Sequence, residues 1–341
     1  MNLRNRETVP DTFSSRMRLT EFFCGLGGVA EAVRQLSCSV VRIDVARALD
    51  IDGDCCQVYE RNFGRAVDRR SIESLDFSDL DWDPGEINAW WLSPPCQPYC
   101  RRGRSSPQQD RRCDGLLAIL RFLEQPGSPL PHRLALENVP EFARSDHCQR
   151  LRSCLRQHGF SFWEGTLCPT QFGVPNRRNR FYLIASRTSE RVVPPTVPTD
   201  PVLRFSVSEI LQSDAGLQSE LELDAAIVRK YHTALDIVAK RDPSAVTACF
   251  AGGYGKSIIR SGSYLQTAGS LRRFSPREIL RLLGFSEGFV FPEQLSTRRR
   301  WKMLGNSVSI GVVKSVLQRL ADPDAKSGEG AKVPGTVLEK P

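Results

Sequence analysis

The sequence predicts an α/β protein, with a mostly parallel, doubly wound sheet joined to a smaller mixed region. Three observations predict it. Short apolar runs alternate with helical patterns from Leu19 to Ala185. The first run opens into a glycine turn and then a helix. The alternation stops after Ser186, where residues 188–203 become rich in Pro, Thr and Val. Strands and helices in alternation bury a parallel sheet between two helical layers.

Residues 19–23 read as a buried strand. They lead into Cys24-Gly25-Leu26-Gly27-Gly28, then Val29, Ala32, Val33 and Leu36 at helical spacing. Strand, glycine turn and helix open a nucleotide-binding βαβ unit. The loop is not G-x-G-x-x-G, because residue 30 is Ala, and no phosphate-cradling Lys follows. A cofactor without a pyrophosphate fits better, such as S-adenosylmethionine; a bare structural turn fits as well. Residues 40–51 form a second hydrophobic stretch. Asp44, Asp50 and Asp52 compete there for the ribose-binding acid, with helix caps or surface acids as the alternative. Ile87–Leu92, residues 133–139 and residues 181–185 read as further strands. Residues 116–124 and 148–158 read as helices. The mixed region holds a capping box, Ser275-Pro276-Arg277-Glu278, opening a helix that Gly284 ends. Residues 308–320 read as the last ordered element. Residues 1–16 read as a disordered arm and 321–341 as a disordered tail.

Ser93-Pro94-Pro95-Cys96-Gln97-Pro98 directly follows Ala89-Trp90-Trp91-Leu92. Proline fixes φ and keeps the residue before it out of the helical region. The pattern sets one thiol on a stiff turn at the carboxyl end of a strand, where an open α/β sheet places a nucleophile. A turn holding a small apolar residue explains the hexapeptide equally well. Glu137 closes the run Leu134-Ala135-Leu136, at the same sheet edge if both strands are parallel. A carboxyl so placed tends toward a raised pKa and proton donation, or else makes a salt bridge or cap. Arg178 and Arg180 alternate into the next strand and could together hold a carboxylate or phosphate.

The 341 residues carry a net charge of +8, 40% hydrophobic and 25% charged residues. No apolar run approaches the ~18 residues of a membrane span. The eleven cysteines contain no Cys-x-x-Cys pair and only four histidines accompany them, so no metal site is expected. Reduced thiols in a cytosolic or nuclear compartment are the expectation, with the cytoplasm preferred. The positive excess clusters at Arg101, Arg102, Arg104, Arg111 and Arg112, at Arg177–Arg180, and between Arg272 and Lys302. Clusters beside a candidate nucleophile suggest a polyanionic partner, with solvated surface loops as the alternative.

These pieces together resemble the cytosine-C5 methyltransferase family. Phe23-Cys24-Gly25-Leu26-Gly27-Gly28 resembles its first cofactor motif, and Pro94-Pro95-Cys96-Gln97 its nucleophile loop. Glu137-Asn138-Val139 resembles its base-gripping motif, and residues 171–180 its paired-arginine segment. Residues 274–278 and Gly305-Asn306-Ser307 resemble its last two. Within that family, residues 249–255 and 261–267 are similar to the variable-region signature of the second DNA-methyltransferase homologue subgroup. Its members methylate cytosine 38 of aspartate tRNA. Tyr99-Cys100 departs from an expected Phe-Thr, and Ala251 from an expected Thr.

The resemblance implies a Rossmann-like, S-adenosylmethionine-dependent methyltransferase. Residues 17–187 plus 301–320 would form the catalytic, cofactor-binding domain, and 188–300 a small target-recognition domain. Cys96 would add to C6 of cytosine, Glu137 would hold N3 and the exocyclic amine, and Arg178 would orient Glu137 or the base. Arg180 would assist. Phe23, Gly25, Leu26, Gly27, Asp50, Ile51, Ser71, Ile72, Ser93, Asn306 and Ser307 would hold the cofactor, with Asp50 on the ribose and Ile51 on adenine. Arg101, Arg104, Arg112, Cys249, Phe250 and Tyr254 would meet the nucleic acid. The implied partner is tRNA, with DNA the rival, bound by a monomer without a metal. A non-catalytic nucleic-acid binder and a small-molecule methyltransferase are the rivals from other classes.

Overall fold

The computed structural model describes residues 15–36, 41–80, 83–99, 110–199, 202–213, 219–325 and 335–338. Arg101 and Arg104 therefore lie outside the described residues, as does most of the expected N-terminal arm.

The strands β1 (Ser15–Phe22), β2 (Val41–Leu49), β3 (Ile87–Leu92) and β4 (Arg133–Asn138) pair in parallel in the order β4-β3-β1-β2. Strand β5 (Ser161–Leu167) has no counterpart in the sequence reading. It pairs antiparallel with β6 (Arg180–Ser186), which is itself antiparallel to β4.

Side chains alternate across β3. Ala89 and Trp91 join a cluster with α1 (Gly28–Gln35) and α2 (Gly53–Phe63). Trp90 and Leu92 join another with α3 (Asp114–Glu124) and α4 (Asp146–Gln157). A strand buried on both faces reads as a continuous apolar run, and β3 does.

Two short helices, α5 (Val207–Ile210) and α6 (Ala225–Tyr231), precede a small sheet. In it β8 (Ser263–Gln266) lies between parallel β7 (Asp236–Ala239) and antiparallel β9 (Leu271–Arg273). Helix α7 (Pro276–Leu283) starts at the expected capping box: Glu278 N–H donates to Ser275 Oγ at 3.2 Å and Ser275 N–H to Glu278 Oε2 at 2.8 Å. Gly284 ends it at φ +90°. Helices α8 (Thr297–Gly305) and α9 (Ile310–Ala321) return the chain to the large sheet. One continuous hydrophobic cluster runs from Trp91 and Ile184 of that sheet through Leu317 and Trp301 to Phe250 and Tyr264.

Two expectations change. The Pro-, Thr- and Val-rich stretch, which reads as a linker in the sequence, is packed over residues 188–199. Val192 and Val197 are buried, and Ser315 and Arg319 of α9 donate to the Thr196 and Pro194 carbonyls at 2.8 and 3.1 Å. The tail expected to be disordered contributes β10 (Gly335–Leu338), antiparallel to β5 at the sheet edge. Strand pairing uses backbone groups that every residue but proline carries, so a polar composition does not forbid it.

Candidate active site

The parallel strands β1–β4 all end at one edge of the sheet, and that edge carries the site. Strand β6 runs the other way, so its first residue, Arg180, arrives beside the last residues of β4. A cleft of about 370 Å³ opens there, within the about 300–1,000 Å³ usual for ligand sites.

After β3, Ser93 N–H donates to the Phe22 carbonyl at 3.3 Å, and Trp91 Nε1 to Ser93 Oγ at 2.8 Å. Asn138 Nδ2, from the neighbouring strand end, donates to the Pro94 carbonyl at 3.1 Å. Tyr99 N–H closes the turn on the Cys96 carbonyl at 3.0 Å. The turn is thus tied to β1 and β4, and Cys96 lines the cleft half-buried. The Tyr99 hydroxyl, absent from the Phe the resemblance leads one to expect, lies 2.7 Å from His147 Nδ1 at the start of α4. Cys100 lies outside the described residues.

Glu137 is buried in the same cleft. Burial pushes its carboxyl above the ordinary range, and Arg180 and then Arg178 pull the other way. Arg180 Nε lies 3.3 Å from Glu137 Oε1, while its Nη2 donates to Cys249 Sγ at 3.6 Å. Burial alone would lower the Arg180 pKa. The charges of Cys249, Glu137 and Cys96 outweigh it and raise the value. The Arg180 charge correspondingly favours a thiolate at Cys96.

Arg178 corrects the expectation. Its charge acts on Glu137, but its hydrogen bonds go elsewhere. Its Nη1 donates to the Phe250 carbonyl at 3.0 Å and to Cys249 Sγ at 3.3 Å; its Nη2 donates to the Gly305 carbonyl at 3.0 Å and to that of Ser307. Arg178 anchors three segments, and Arg180 is the arginine on the acid. Between them, Cys249 has its thiol pKa lowered: burial would raise it, but the two guanidiniums prevail.

Phe250 and Tyr254 also correct the expectation. Both are buried, packed edge-on to each other and to Phe274 and Trp301. Tyr254 Oη donates to the Ser263 carbonyl at 2.6 Å. Neither ring can reach a nucleic acid, because aromatic burial holds the small sheet to α8. Arg112 does line the cleft, paired with Asp110.

On the other side of the cleft, Gly25 adopts φ +55° and Gly27 φ +96°. No atom would meet a Cβ on Gly25, so its open face admits a ligand. Gly27 does not line the cleft; a Cβ there would strike the Phe63 ring. Gly25 N–H donates to Asp50 Oδ2 and Asp52 N–H to Asp50 Oδ1, both at 2.8 Å. Ile51 stands 72% exposed at the cleft. Phe23, Leu26, Ser71, Ile72, Ser93, Asn306 and Ser307 complete this wall. Asp44 lies elsewhere, paired with Arg16 at 2.8 Å, and Asp52 pairs with Arg299.

One lining residue was missed. Glu21, within β1, is fully buried, and its Oε1 has no hydrogen-bond partner among the described residues. Burial pushes its carboxyl up to about 8. Its signal is a lone acid inside an apolar strand, since Glu is almost never fully buried unless paired. Among the described residues no cluster suited to a metal occurs and no helix is long and apolar enough to cross a membrane.

Residues 17–322 match the family of C-5 cytosine-specific DNA methylases. The chain belongs to this family. It is a cytosine-C5 methyltransferase, and its large mostly parallel sheet is the family's S-adenosylmethionine-dependent fold. It is 29% identical to a Schizosaccharomyces pombe tRNA (cytosine(38)-C(5))-methyltransferase, over 91% of this chain and 98% of that one. It is 27% identical to a Dictyostelium discoideum DNA (cytosine-5)-methyltransferase, over 91% and 95%. The solved structure of the S. pombe Dnmt2 methyltransferase superposes with a TM-score of 0.74 at 26% identity, over 91% of this chain and 99% of that one. An Entamoeba histolytica methyltransferase shares the fold at a TM-score of 0.78 and 24% identity, over 92% and 100%.

Proposed function

We propose that the chain methylates C5 of a cytosine in tRNA, at position 38 of the anticodon loop of aspartate tRNA, acting as a cytoplasmic monomer. The observation that carries the chemistry is the convergence of Cys96, Glu137 and Arg180 in a cleft that also holds the glycine loop and Asp50. The choice of tRNA is supported by the curated relatives that carry that activity in their names. The described cysteines are thiols rather than disulfides, which suits a reducing compartment.

The cleft fits S-adenosylmethionine. Ile51 offers an apolar face for an adenine ring, Gly25 leaves open space, and the unpartnered Glu21 oxygen offers an acceptor to a cation. When bound, that cofactor supplies an electrophilic methyl group to C5. The chain's residues do the rest. The Cys96 thiolate forms a bond to C6, and the electron pair of the C5–C6 double bond moves to C5, making that carbon nucleophilic. Glu137, whose pKa burial raises, donates to N3 and holds the exocyclic amine. Arg180 fixes the Glu137 carboxyl and favours the thiolate. A base then takes the C5 proton, the double bond reforms and the thiolate leaves. A stacked base cannot present its edge to the buried Glu137, so extrusion is required, and it costs less from an RNA loop than from a duplex. Arg111, Arg112 and Lys302 line the cleft as partners for phosphates.

Bisulfite mapping of tRNA and duplex DNA treated with enzyme and cofactor tests the substrate. Conversion resistance at cytosine 38 of aspartate tRNA is expected; modification of DNA alone would overturn the tRNA reading. Cys96→Ala should abolish methyl transfer while cofactor binding, measured by calorimetry, survives.

A further inference from the structure

Arg299 belongs to α8, whose C-terminal end leads to Asn306 and Ser307 on the cleft wall. Its side chain reaches the 50–54 turn. Nε donates to Asp54 Oδ2 at 2.6 Å, and Nη2 pairs with Asp52 Oδ1. Asp52 caps α2 by accepting Cys55 N–H at 3.2 Å. The Asp52 N–H holds one Asp50 oxygen, and Gly25 N–H holds the other. The contacts form one chain, from α8 through Arg299, Asp52 and Asp50 to the glycine loop. Ile51 sits inside it, on a turn that the Asp50 N–H also ties to the Asp68 carbonyl at 3.1 Å.

Asp50, Asp52 and Asp54 place three carboxylates within five residues, and like charges so close repel. Burial raises the Asp50 pKa; the Asp52 charge adds to this, and Arg299 opposes it. Without the guanidinium, the turn that presents Asp50 and Ile51 would carry uncompensated charge. A planar fork spans two carboxylates at once, which a lysine ammonium on its flexible stem does less well.

We propose that Arg299 is a clasp on the cofactor cleft, a positioning residue that sets affinity for S-adenosylmethionine by holding the 50–54 turn against the glycine loop. The proposal rests on reading that cleft as the cofactor site. Neither Asp52 nor Asp54 need touch the cofactor. The three side chains are 22–42% exposed, so salt screens the clasp.

The test is calorimetric titration of the full chain with S-adenosylmethionine at low and high salt, for wild type, Arg299→Gln, Arg299→Lys and Asp54→Asn. Steady-state methylation of a tRNA transcript accompanies it. With each partly exposed pair contributing a few-fold, Arg299→Gln should raise the cofactor Kd about tenfold and the other two variants about threefold. The loss should appear in the cofactor KM rather than in kcat at saturation or in the KM for tRNA. High salt should narrow the gap to wild type. Arg299→Gln and Asp54→Asn binding as tightly as wild type would overturn the clasp, as would a loss confined to kcat. If Arg299→Gln fails to fold, Arg299→Lys and Asp54→Asn carry the test. Failure of the wild-type protein to bind S-adenosylmethionine would instead overturn the cofactor reading of the cleft.

Discussion

Arg178 and Arg180 lie two residues apart and meet the same thiol, yet their work differs. Arg178 binds carbonyls from Phe250, Gly305 and Ser307, so a shorter side chain there leaves acceptors and a buried charge unpaired. Arg178→Lys should therefore cost about 2–4 kcal/mol of stability, seen as a lowered Tm in calorimetry. Arg180→Lys should keep most of the Tm and lower the methylation rate at least about tenfold, because the Nε contact to Glu137 has no counterpart on a lysine. Equal Tm losses in both would refute the division. Glu21 makes a separate prediction. Its folded pKa, about 8, lies above its ordinary 4.5. The folded state therefore holds the proton more tightly. Relative to low pH, stability falls as pH rises from the unfolded value through the folded one, by about 1.4 kcal/mol per unit at most. Glu21→Gln should raise Tm more at pH 8 than at pH 5; a constant difference would show that Glu21 does not titrate there. Cys96 and Glu137 were legible in the sequence because each ends an apolar run. The roles of the arginines were not, because the Arg178 partners lie 71 to 129 residues away.

At the scale of elements, apolar runs and caps located β3, β4 and α7 closely and found the opening β1–α1 unit, although β1 begins at Ser15, four residues before the expected strand. Strand β5 was missed because Ser161–Leu167 holds Glu164 and Gly165 and shows no clean alternation. The direction of β6 was missed too, since periodicity shows that a strand exists and not which way it points. That direction matters: only an antiparallel β6 delivers Arg180 to Glu137 at the carboxyl edge of the parallel strands. Strand β10 covers the backbone edge of β5, and Gly335 packs against Trp163, where a Cβ would not fit. Deleting residues 326–341 should cost about 1–2 kcal/mol, lowering Tm by a few degrees, and should promote self-association through the bared edge. Calorimetry and light scattering on the truncated chain would check this; an unchanged Tm with no association would dismiss β10 as a stabilising element.

Across the whole molecule, the small sheet shares one hydrophobic cluster with one face of the large one. Arg178, the Phe250–Trp301 aromatic group and the Arg299 pairs then hold the late part of the chain against both walls of the cleft. The sequence by itself determined the fold class, the order of the motifs and the edge at which Cys96, Glu137 and the glycine loop gather. It could do so because alternating strands and helices make a parallel sheet, and parallel strands all end on the same side. Only the tertiary structure decided which arginine holds Glu137, that Phe250 and Tyr254 support the site from within, and that Asp52 is drawn to Arg299. Those outcomes depend on burial and on charge pairs between distant segments, which leave no period along the chain.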